Sequence, residues 1–447
     1  MKVGILGLGT VGGGVVNVLN KNSASIQRRT GVNIQVILAG VRDIKQDRIC
    51  DTSNIKLTED PFEVVNHPEI DVVLELIGGT GLTKKLVETA IKNGKHVITA
   101  NKALIAKHGN ELIQLANKNK VRLLFEASVA GGIPIIKSLE QGLSANKIES
   151  LACIINGTVN FILTEMKEKG RDFDDVLKEA QALGYAEKDP TYDVEGIDAA
   201  HKLAILAAIA FGTELQFDKV FTKGISNITT EDIKYAAELG YTIKHLGIAK
   251  RVGNGIELRV HPTLISNEQL IANVNGVMNA IVVKGDALGT SLYYGVGAGE
   301  EATASSVIAD LIDIINNQTS NHILGWKSQE KLTVIDTESI DSEFYLRLLV
   351  SDMKGVLAKI TGIFHKYNVS IEALIQKQID ENKNAHIVII TNKVNTNDIM
   401  GIKAAIEASD FNQQDLQKSL GYCQGVIEKR STLPILSNIL IEAVNSK

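Results

Sequence analysis

The sequence predicts an α/β protein built from three units. Three observations carry that prediction. Residues 1–130 alternate short apolar runs with helical patterns, residues 131–302 mix strands and helices without that alternation, and residues 344–432 read strand, helix, strand, strand, helix, strand. Strand–helix–strand units at regular spacing argue for a parallel sheet.

In the first unit "KVGILGLG" is a strand, "VGGGVVNVLNKNSASIQ" a helix and "NIQVILAGVR" a second strand. "DVVLELIG", "TKKLVETAIKNG", "KHVITA" and "VRLLFEAS" continue the pattern. In the second unit "KIESLACIIN", "TIKHLGIAKRV", "IELRVHPTLI" and "AIVVKGDALG" read as strands and "GIDAAHKLAILAAIAFG" as a helix. "TASSVIADLIDIINN" (303–317) is an amphipathic helix with no strand after it, expected to pack back on the first unit. Residues 318–343 are polar and mixed, and are expected to be a linker. The last strand of the third unit is expected in "GVIEKRSTL", with a tail helix over 433–447.

Composition bounds the function classes. The chain has 447 residues, 44% hydrophobic and 22% charged, as in ordinary globular proteins. A net charge of -5 gives no reason to expect nucleic acid or an anionic membrane as partner. Cys50, Cys153 and Cys423 are far apart, with no metal spacing and no disulfide framework. A start in "MKVGILGLG" is a strand rather than a signal peptide, and no apolar run is long enough to span a bilayer. These features point to the cytoplasm.

"GLGTVG" fits G-x-G-x-x-G and sits between a strand and a helix, the context of a Rossmann-type dinucleotide site. Gly7 permits the tight turn, Gly9 lets backbone approach a pyrophosphate, and Gly12 allows close helix–strand packing. Thr10 and Val11 open the helix, whose free N–H groups favour phosphate. At the end of the second strand a carboxylate would hold a free ribose 2′-hydroxyl and an arginine a 2′-phosphate. Arg42 stands there, with Lys45 and Arg48 behind it, which favours NADP(H) over NAD(H). Asp43 is adjacent, and three solvated cations on a loop fit the same residues.

Lys102 follows the strand "HVITA" at the edge where open α/β sheets bind ligands, and Asn101 is placed to cap the next helix. Asp198 and Lys202 are four apart on an apolar helix, so they share a face. Burial lowers a lysine's pKa unless a carboxylate holds it, and a lysine so tuned can protonate a developing alkoxide. Glu187 and Asp193, in the turn before, could take an ammonium group. A plain i,i+4 ion pair beside a solvated acidic loop fits equally well.

Ala180, Gly184-Tyr185-Ala186, Asp189-Pro190, Asp193-Val194, Gly196, Asp198 and Lys202 together resemble the homoserine dehydrogenase signature. "GLGTVG", "ITANKALIAKHG", "EASVAGGIPII" (126–136) and "NGTVNFIL" (156–163) also resemble that family, over about residues 1–320. The resemblance implies reversible, NAD(P)H-dependent reduction of L-aspartate 4-semialdehyde to L-homoserine, in threonine, methionine and isoleucine biosynthesis. It implies Lys202 as general acid/base supported by Asp198, and Lys102 as a second catalytic lysine near cofactor and substrate. Glu187 and Asp193 fall on substrate-binding carboxylates. "EASVAGGI" resembles a loop for sodium or potassium, with Glu126 and the carbonyls of Val129, Gly131 and Ile133 as ligands. Gly299 and Glu300 fall on a late cofactor loop, which departs from the family in having Ala302 where Pro is usual.

"FYLRLLVSDMKGVLAKITGIFHKYNVSIEALIQKQ" resembles an ACT domain, a ferredoxin-like βαββαβ module. Asp352, Gly355, Val356 and Leu357 match its mark, while Lys354 replaces a frequent Pro. The resemblance implies threonine as effector, bound near Asp352, Gly355 and Val356, and a homodimer or homotetramer formed by a catalytic and dimerisation domain. Two other readings stand beside it. Another ACT-bearing dehydrogenase would need a His–carboxylate pair, which does not stand out; a non-catalytic dinucleotide and amino-acid sensor would not need Lys102, Asp198 and Lys202. A metal hydrolase lacks its HExxH motif.

Overall fold

The computed structural model describes residues 1–317, 324–378, 384–409 and 423–424. The first unit is a six-stranded parallel sheet of β1 (Lys2–Leu6), β2 (Gln35–Gly40), β3 (Lys56–Thr58), β4 (Val72–Glu75), β5 (His96–Thr99) and β6 (Leu123–Leu124). Their order is β3-β2-β1-β4-β5-β6, the doubly wound arrangement whose chain reversal lies between β1 and β4. Val3, Ile5, Val73, Leu74, Val97 and Ile98 are fully buried, which is why these strands read as continuous apolar runs. Helices α1 (Thr10–Thr30), α2 (Pro61–Asn66), α3 (Gly81–Lys92) and α4 (Lys102–Lys118) connect them.

The second unit starts after a helical turn, α5 (Ile135–Lys137). It adds β7 (Ile148–Ile154), α6 (Gly157–Lys169), α7 (Phe173–Ala182), α8 (Thr191–Val194), α9 (Ile197–Phe211), β8 (Phe221–Thr222) and α10 (Thr230–Glu238). Then come β9 (Tyr241–Val252), β10 (Gly255–Ser266), β11 (Met278–Gly285) and β12 (Gly289–Val296). The sheet runs β12-β11-β7-β9-β10, and α9 lies on it through Leu203, Ile205, Leu206 and Ile209, packed with Leu151, Cys153, Leu258 and Val260. Next, α11 (Glu300–Asn316) returns to the first unit, where Ala304, Val307, Leu311 and Ile314 share a core with Val15, Val16 and Leu19 of α1. That helix begins at Glu300, earlier than the apolar periodicity alone suggests.

The stretch expected as a linker departs from that reading. β13 (Thr333–Val334) pairs in parallel with the edge of β10, and Trp326 Nε1 donates to Ile209 O at 2.7 Å at the end of α9. Two-residue pairing leaves no periodic trace in a polar sequence.

The third unit comprises β14 (Asp341–Ser342), β15 (Phe344–Ser351), α12 (Val356–Lys366), β16 (Ile371–Gln378), β17 (Asn384–Thr391), β18 (Val394–Asn395), α13 (Thr396–Glu407) and β19 (Cys423–Gln424). Its main sheet, β16-β17-β15-β19, has the antiparallel order of a βαββαβ module. β19 lies just before the expected "GVIEKRSTL"; that strand and the tail helix fall outside the described residues. One sheet face carries Tyr345, Val388 and Ile390, which join the second unit's Val159, Ile233 and Tyr235 in a single apolar cluster. Among the described residues no helix is long and apolar enough to cross a membrane.

Candidate active site

The glycine turn after β1 has the shape the motif requires. Gly7 has φ +96° and donates its N–H to Gly40 O at 2.9 Å, tying β1's end to β2's end. A Cβ on Gly12 would lie 2.0 Å from Gly7 O, so only glycine lets α1 start this close to the turn. A Cβ on Gly9 would meet nothing within 4 Å, leaving open space beside the first N–H groups of α1 at Thr10, Val11 and Gly12. This cradle fits a pyrophosphate. Arg42 is exposed and makes no hydrogen bond or ion pair among the described residues. Asp43 is engaged locally: its carboxylate accepts from Lys45 N at 2.8 Å and its carbonyl from Arg48.

Glu300, expected at the cofactor, is the first residue of α11. Its carboxylate accepts from Asn17 Nδ2 at 3.2 Å, and its side chain lies where a Cβ on Gly14 would be. It fastens α11 to α1. Gly299, with φ +118°, is the residue before that helix.

Two strands along from β1, β5 leads into α4, whose first residue is Lys102. Asn101 Oδ1 accepts from Leu104 N at 3.0 Å, capping α4, and Asn101 Nδ2 donates to Gly79 O at 2.6 Å. Buried Glu75, not singled out from the sequence, holds this corner: it accepts from Thr99 Oγ1 at 2.5 Å and from the N–H groups of Ile77 and Gly78.

Lys102 and α9 meet at one carboxylate. Asp198, only 2% exposed, lies 2.7 Å from Lys102 Nζ through Oδ1 and 2.7 Å from Lys202 Nζ through Oδ2. Lys202 Nζ also donates to Ile155 O at 2.8 Å. Burial would raise the Asp198 pKa, but the charges of Lys202 and Lys102 hold it well below the usual carboxylate range. Burial pushes Lys202 below its ordinary value against the opposing pull of Asp198. Burial acts on Lys102 too, but the Asp198 carboxylate outweighs it and brings that lysine up. The two lysines therefore differ: Lys202 gives up a proton more readily than Lys102.

Asp193, in α8, is half-buried beside this group, and burial raises its pKa. Asn156 Nδ2 joins it to Asp198, donating to Asp193 Oδ1 at 2.8 Å and Asp198 Oδ2 at 2.9 Å. Tyr192 places its ring 5.6 Å from Lys102 Nζ, and its hydroxyl lies 2.9 Å from His201 Nδ1. Burial pushes Tyr192 up to about 12 and His201 down to about 4, so both are neutral at ordinary pH. Glu187 stays outside the group: it is exposed, and its side chain makes no hydrogen bond or ion pair with the described residues. Asn156, Tyr192 and His201 were not among the sequence candidates. An Asn before a helix predicts a cap, but nothing in the sequence shows that its amide faces two carboxylates.

The loop after β6 is also built around a buried acid. Glu126 accepts from Ile136 N and Lys137 N, each at 2.9 Å, and its own N–H donates to Asp310 Oδ2 at 2.9 Å. Gly131 O accepts from Ser306 Oγ at 2.6 Å and Ile133 O from Ile135 N at 2.7 Å. Lys137 pairs with Asp310 at 2.6 Å and Arg122 with Asp313 at 2.8 Å. Burial and the neighbouring carboxylates push both Glu126 and Glu140 up to about 7. No group of three or more His, Cys, Asp or Glu fit to hold a metal occurs among the described residues. In the third unit, Asp352 is exposed and accepts from Gln376 Nε2 at 3.2 Å, Gly355 has φ +91°, and Val356 opens α12.

Comparison with known proteins agrees with this organisation. Residues 7–126 match the family model for the homoserine dehydrogenase NAD binding domain, 134–312 the homoserine dehydrogenase model and 344–410 the ACT domain model. A homoserine dehydrogenase of Pseudomonas aeruginosa is 54% identical over 91% of this chain and 95% of that protein. The crystal structure of a homoserine dehydrogenase from Thiobacillus denitrificans superposes with a TM-score of 0.90 at 50% identity, covering 96% of this chain and 98% of that one. A hyperthermophilic archaeal homoserine dehydrogenase in complex with NADPH superposes with a TM-score of 0.58 at 26% identity, over 70% of this chain and 96% of that one. A dinucleotide cradle, a lysine–carboxylate–lysine group and these likenesses along nearly the whole chain lead to one conclusion: the chain belongs to the homoserine dehydrogenase family, oxidoreductases with NAD-binding, catalytic and ACT domains.

Proposed function

We propose that Lys202, Asp198 and Lys102 carry the interconversion of L-aspartate 4-semialdehyde and L-homoserine in this enzyme. The single observation behind this reading is the shared carboxylate, with Lys102 on one oxygen of Asp198 and Lys202 on the other. NAD(P)H, when bound, supplies the hydride. Lys202 gives its proton to the carbonyl oxygen during reduction and recovers it during oxidation, which suits a lysine that burial has made more acidic. Asp198 keeps Lys202 oriented, and Lys102 adds positive charge where the alkoxide develops. Asp193 and Glu187 take the substrate's ammonium group; exposed Glu187 must turn inward to do so.

Arg42 supports NADP(H) over NAD(H), because its guanidinium has no partner among the described residues while Asp43 is turned to its own loop. Gly7, Gly9, Thr10, Val11 and Gly12 cradle the pyrophosphate, with Gly299 and Glu300 at the start of α11 and Lys102 at the start of α4 completing the cofactor site. The test follows reduced-cofactor absorbance with aspartate 4-semialdehyde, using NADPH and then NADH. Arg42→Ala is expected to weaken NADPH about 10- to 100-fold and leave NADH nearly unchanged. Equal losses for both cofactors would remove the 2′-phosphate assignment.

The loop Glu126–Ile133 is suited to sodium or potassium through Glu126 and the carbonyls of Val129, Gly131 and Ile133. Support comes from the crowding of acids: Glu126, Glu140, Asp310 and Asp313 gather around Lys137 and Arg122, and a cation would relieve the burial and mutual repulsion that push Glu126 and Glu140 up to about 7. Replacing sodium and potassium by tetramethylammonium at equal ionic strength is expected to lower the melting temperature of the wild type and not of Glu126→Gln. An unchanged wild-type melt would argue against the site. The ACT unit would sense threonine near Asp352, Gly355 and Val356, as an added-threonine arm of the same assay would show by a fall in rate. The half-buried face of Ile248, Val282 and Leu292 suits a second copy of the chain. Light scattering at one chain mass would oppose that.

A further inference from the structure

Asn156 stands between β7 and α6 and is 7% exposed. Its orientation is fixed by its own bonds. Oδ1 accepts from Val159 N at 2.9 Å, which caps α6, so Nδ2 is the end that faces the carboxylates. Both amide hydrogens are then used, one on Asp193 at 2.8 Å and one on Asp198 at 2.9 Å. The residue before it, Ile155, accepts from Lys202 at 2.8 Å. This single turn therefore touches three ionisable groups. Its far side is anchored as well, because Asn160 Nδ2 donates to Val274 O at 3.0 Å and Gly276 O at 2.9 Å.

Two carboxylates brought together in a buried site repel, and commonly end by sharing a proton. A neutral amide that donates once to each removes that tendency without adding a cation to compete with Lys102 and Lys202. We propose that Asn156 is a positioning residue of this site: it fixes Asp193 and Asp198 side by side, committing Asp198 to the two lysines and leaving Asp193 free for the substrate's ammonium group. This rests on the roles proposed above for Asp193, Asp198 and Lys202. The charged and titratable groups around the amide are Lys102 from α4, Tyr192 and Asp193 from α8, and Asp198 and Lys202 from α9.

Capping and bridging can be separated. Asp and Ser cap helices about as well as Asn. Asp has no hydrogen to donate to either carboxylate, and Ser has one on a shorter arm. Asn156→Asp and Asn156→Ser are therefore expected to keep α6 capped but to lower kcat/KM for L-homoserine about 100-fold. KM should rise with the loss of Asp193 orientation. The acidic limb of the kcat/KM profile, which Lys202 sets, should move to higher pH, because Asp198 without the Asn156 hydrogen bond holds the Lys202 proton more tightly. Wild-type kcat/KM and an unmoved acidic limb in Asn156→Ser would overturn the proposal. So would a loss of stability with the wild-type limb, which a cap alone explains. If Asn156→Asp does not fold, Asn156→Ser decides. Lys202→Ala run in parallel separates the two levels. Normal turnover there defeats the underlying site assignment, whereas a dead Lys202→Ala beside unchanged Asn156 variants defeats only the positioning role.

Discussion

Lys202→Ala is expected to lower kcat by about 10²- to 10⁴-fold while leaving cofactor affinity close to wild type. The two effects separate because the lysine and the dinucleotide cradle lie on different units. Lys202 projects from α9 of the second unit, whereas Gly7 and Gly9 lie in the turn after β1 and Gly12 in the first turn of α1. Removing Lys202 also takes one donor from Asp198, but Lys102 at 2.7 Å and Asn156 at 2.9 Å remain to hold that buried carboxylate. The loss should therefore fall on chemistry more than on folding. In wild type, the oxidation of homoserine needs Lys202 unprotonated and the reduction of the semialdehyde needs it protonated. Oxidation should thus rise, and reduction fall, as pH increases through a lysine pKa depressed by burial below 10.5. Lys202→Ala should lose that limb in both directions. An unchanged limb would assign the titration to another group.

Arg347→Met carries the second large effect, on the docking of the C-terminal unit. Arg347, on β15, donates through Nε to Asp232 Oδ1 at 2.7 Å, and through Nη2 to Thr229 Oγ1 at 3.1 Å. Tyr345 OH reaches the same Asp232 oxygen at 3.0 Å, and Tyr235 OH lies 3.0 Å from His386 Nδ1. Asp232 is 1% exposed and Arg347 7%, so solvent screening does little here. Removing the arginine leaves a buried carboxylate without its cation, held only by Tyr345 and Thr229 among the described residues, an effect of up to about 3–5 kcal/mol. Because Asp232 also closes the capping box of α10 with Thr229, the damage reaches into the second unit. Denaturant unfolding should show the loss, and any threonine inhibition should weaken with it. A wild-type midpoint together with a wild-type threonine response would show that the apolar contact of Tyr345, Val388 and Ile390 suffices alone.

Much of the architecture was legible because parallel strands buried on both faces leave plain apolar runs. The parallel sheet of the first unit follows from such runs, and the βαββαβ unit from the succession of strand and helix patterns after Phe344. β12 was missed: its residues are small, polar or half-exposed, so neither period stands out. The Asp198–Lys202 pair was legible because helical period alone puts the two on one face. Its contact with Lys102 was not, because that contact joins a strand end of one unit to a helix of another. Glu300 is a similar case. The resemblance suggested a cofactor contact, and local sequence does not show that its carboxylate reaches Asn17 of α1. Glu187 remains exposed, and local sequence does not say whether a loop carboxylate faces the pocket or solvent.

The most direct test of the account is the initial rate of NADPH oxidation by L-aspartate 4-semialdehyde, measured side by side for wild type and Lys202→Ala in folded protein. The account predicts brisk oxidation by the wild type and a rate at least about 100-fold lower in the variant, with NADPH binding retained. Comparable rates in the two proteins would contradict it.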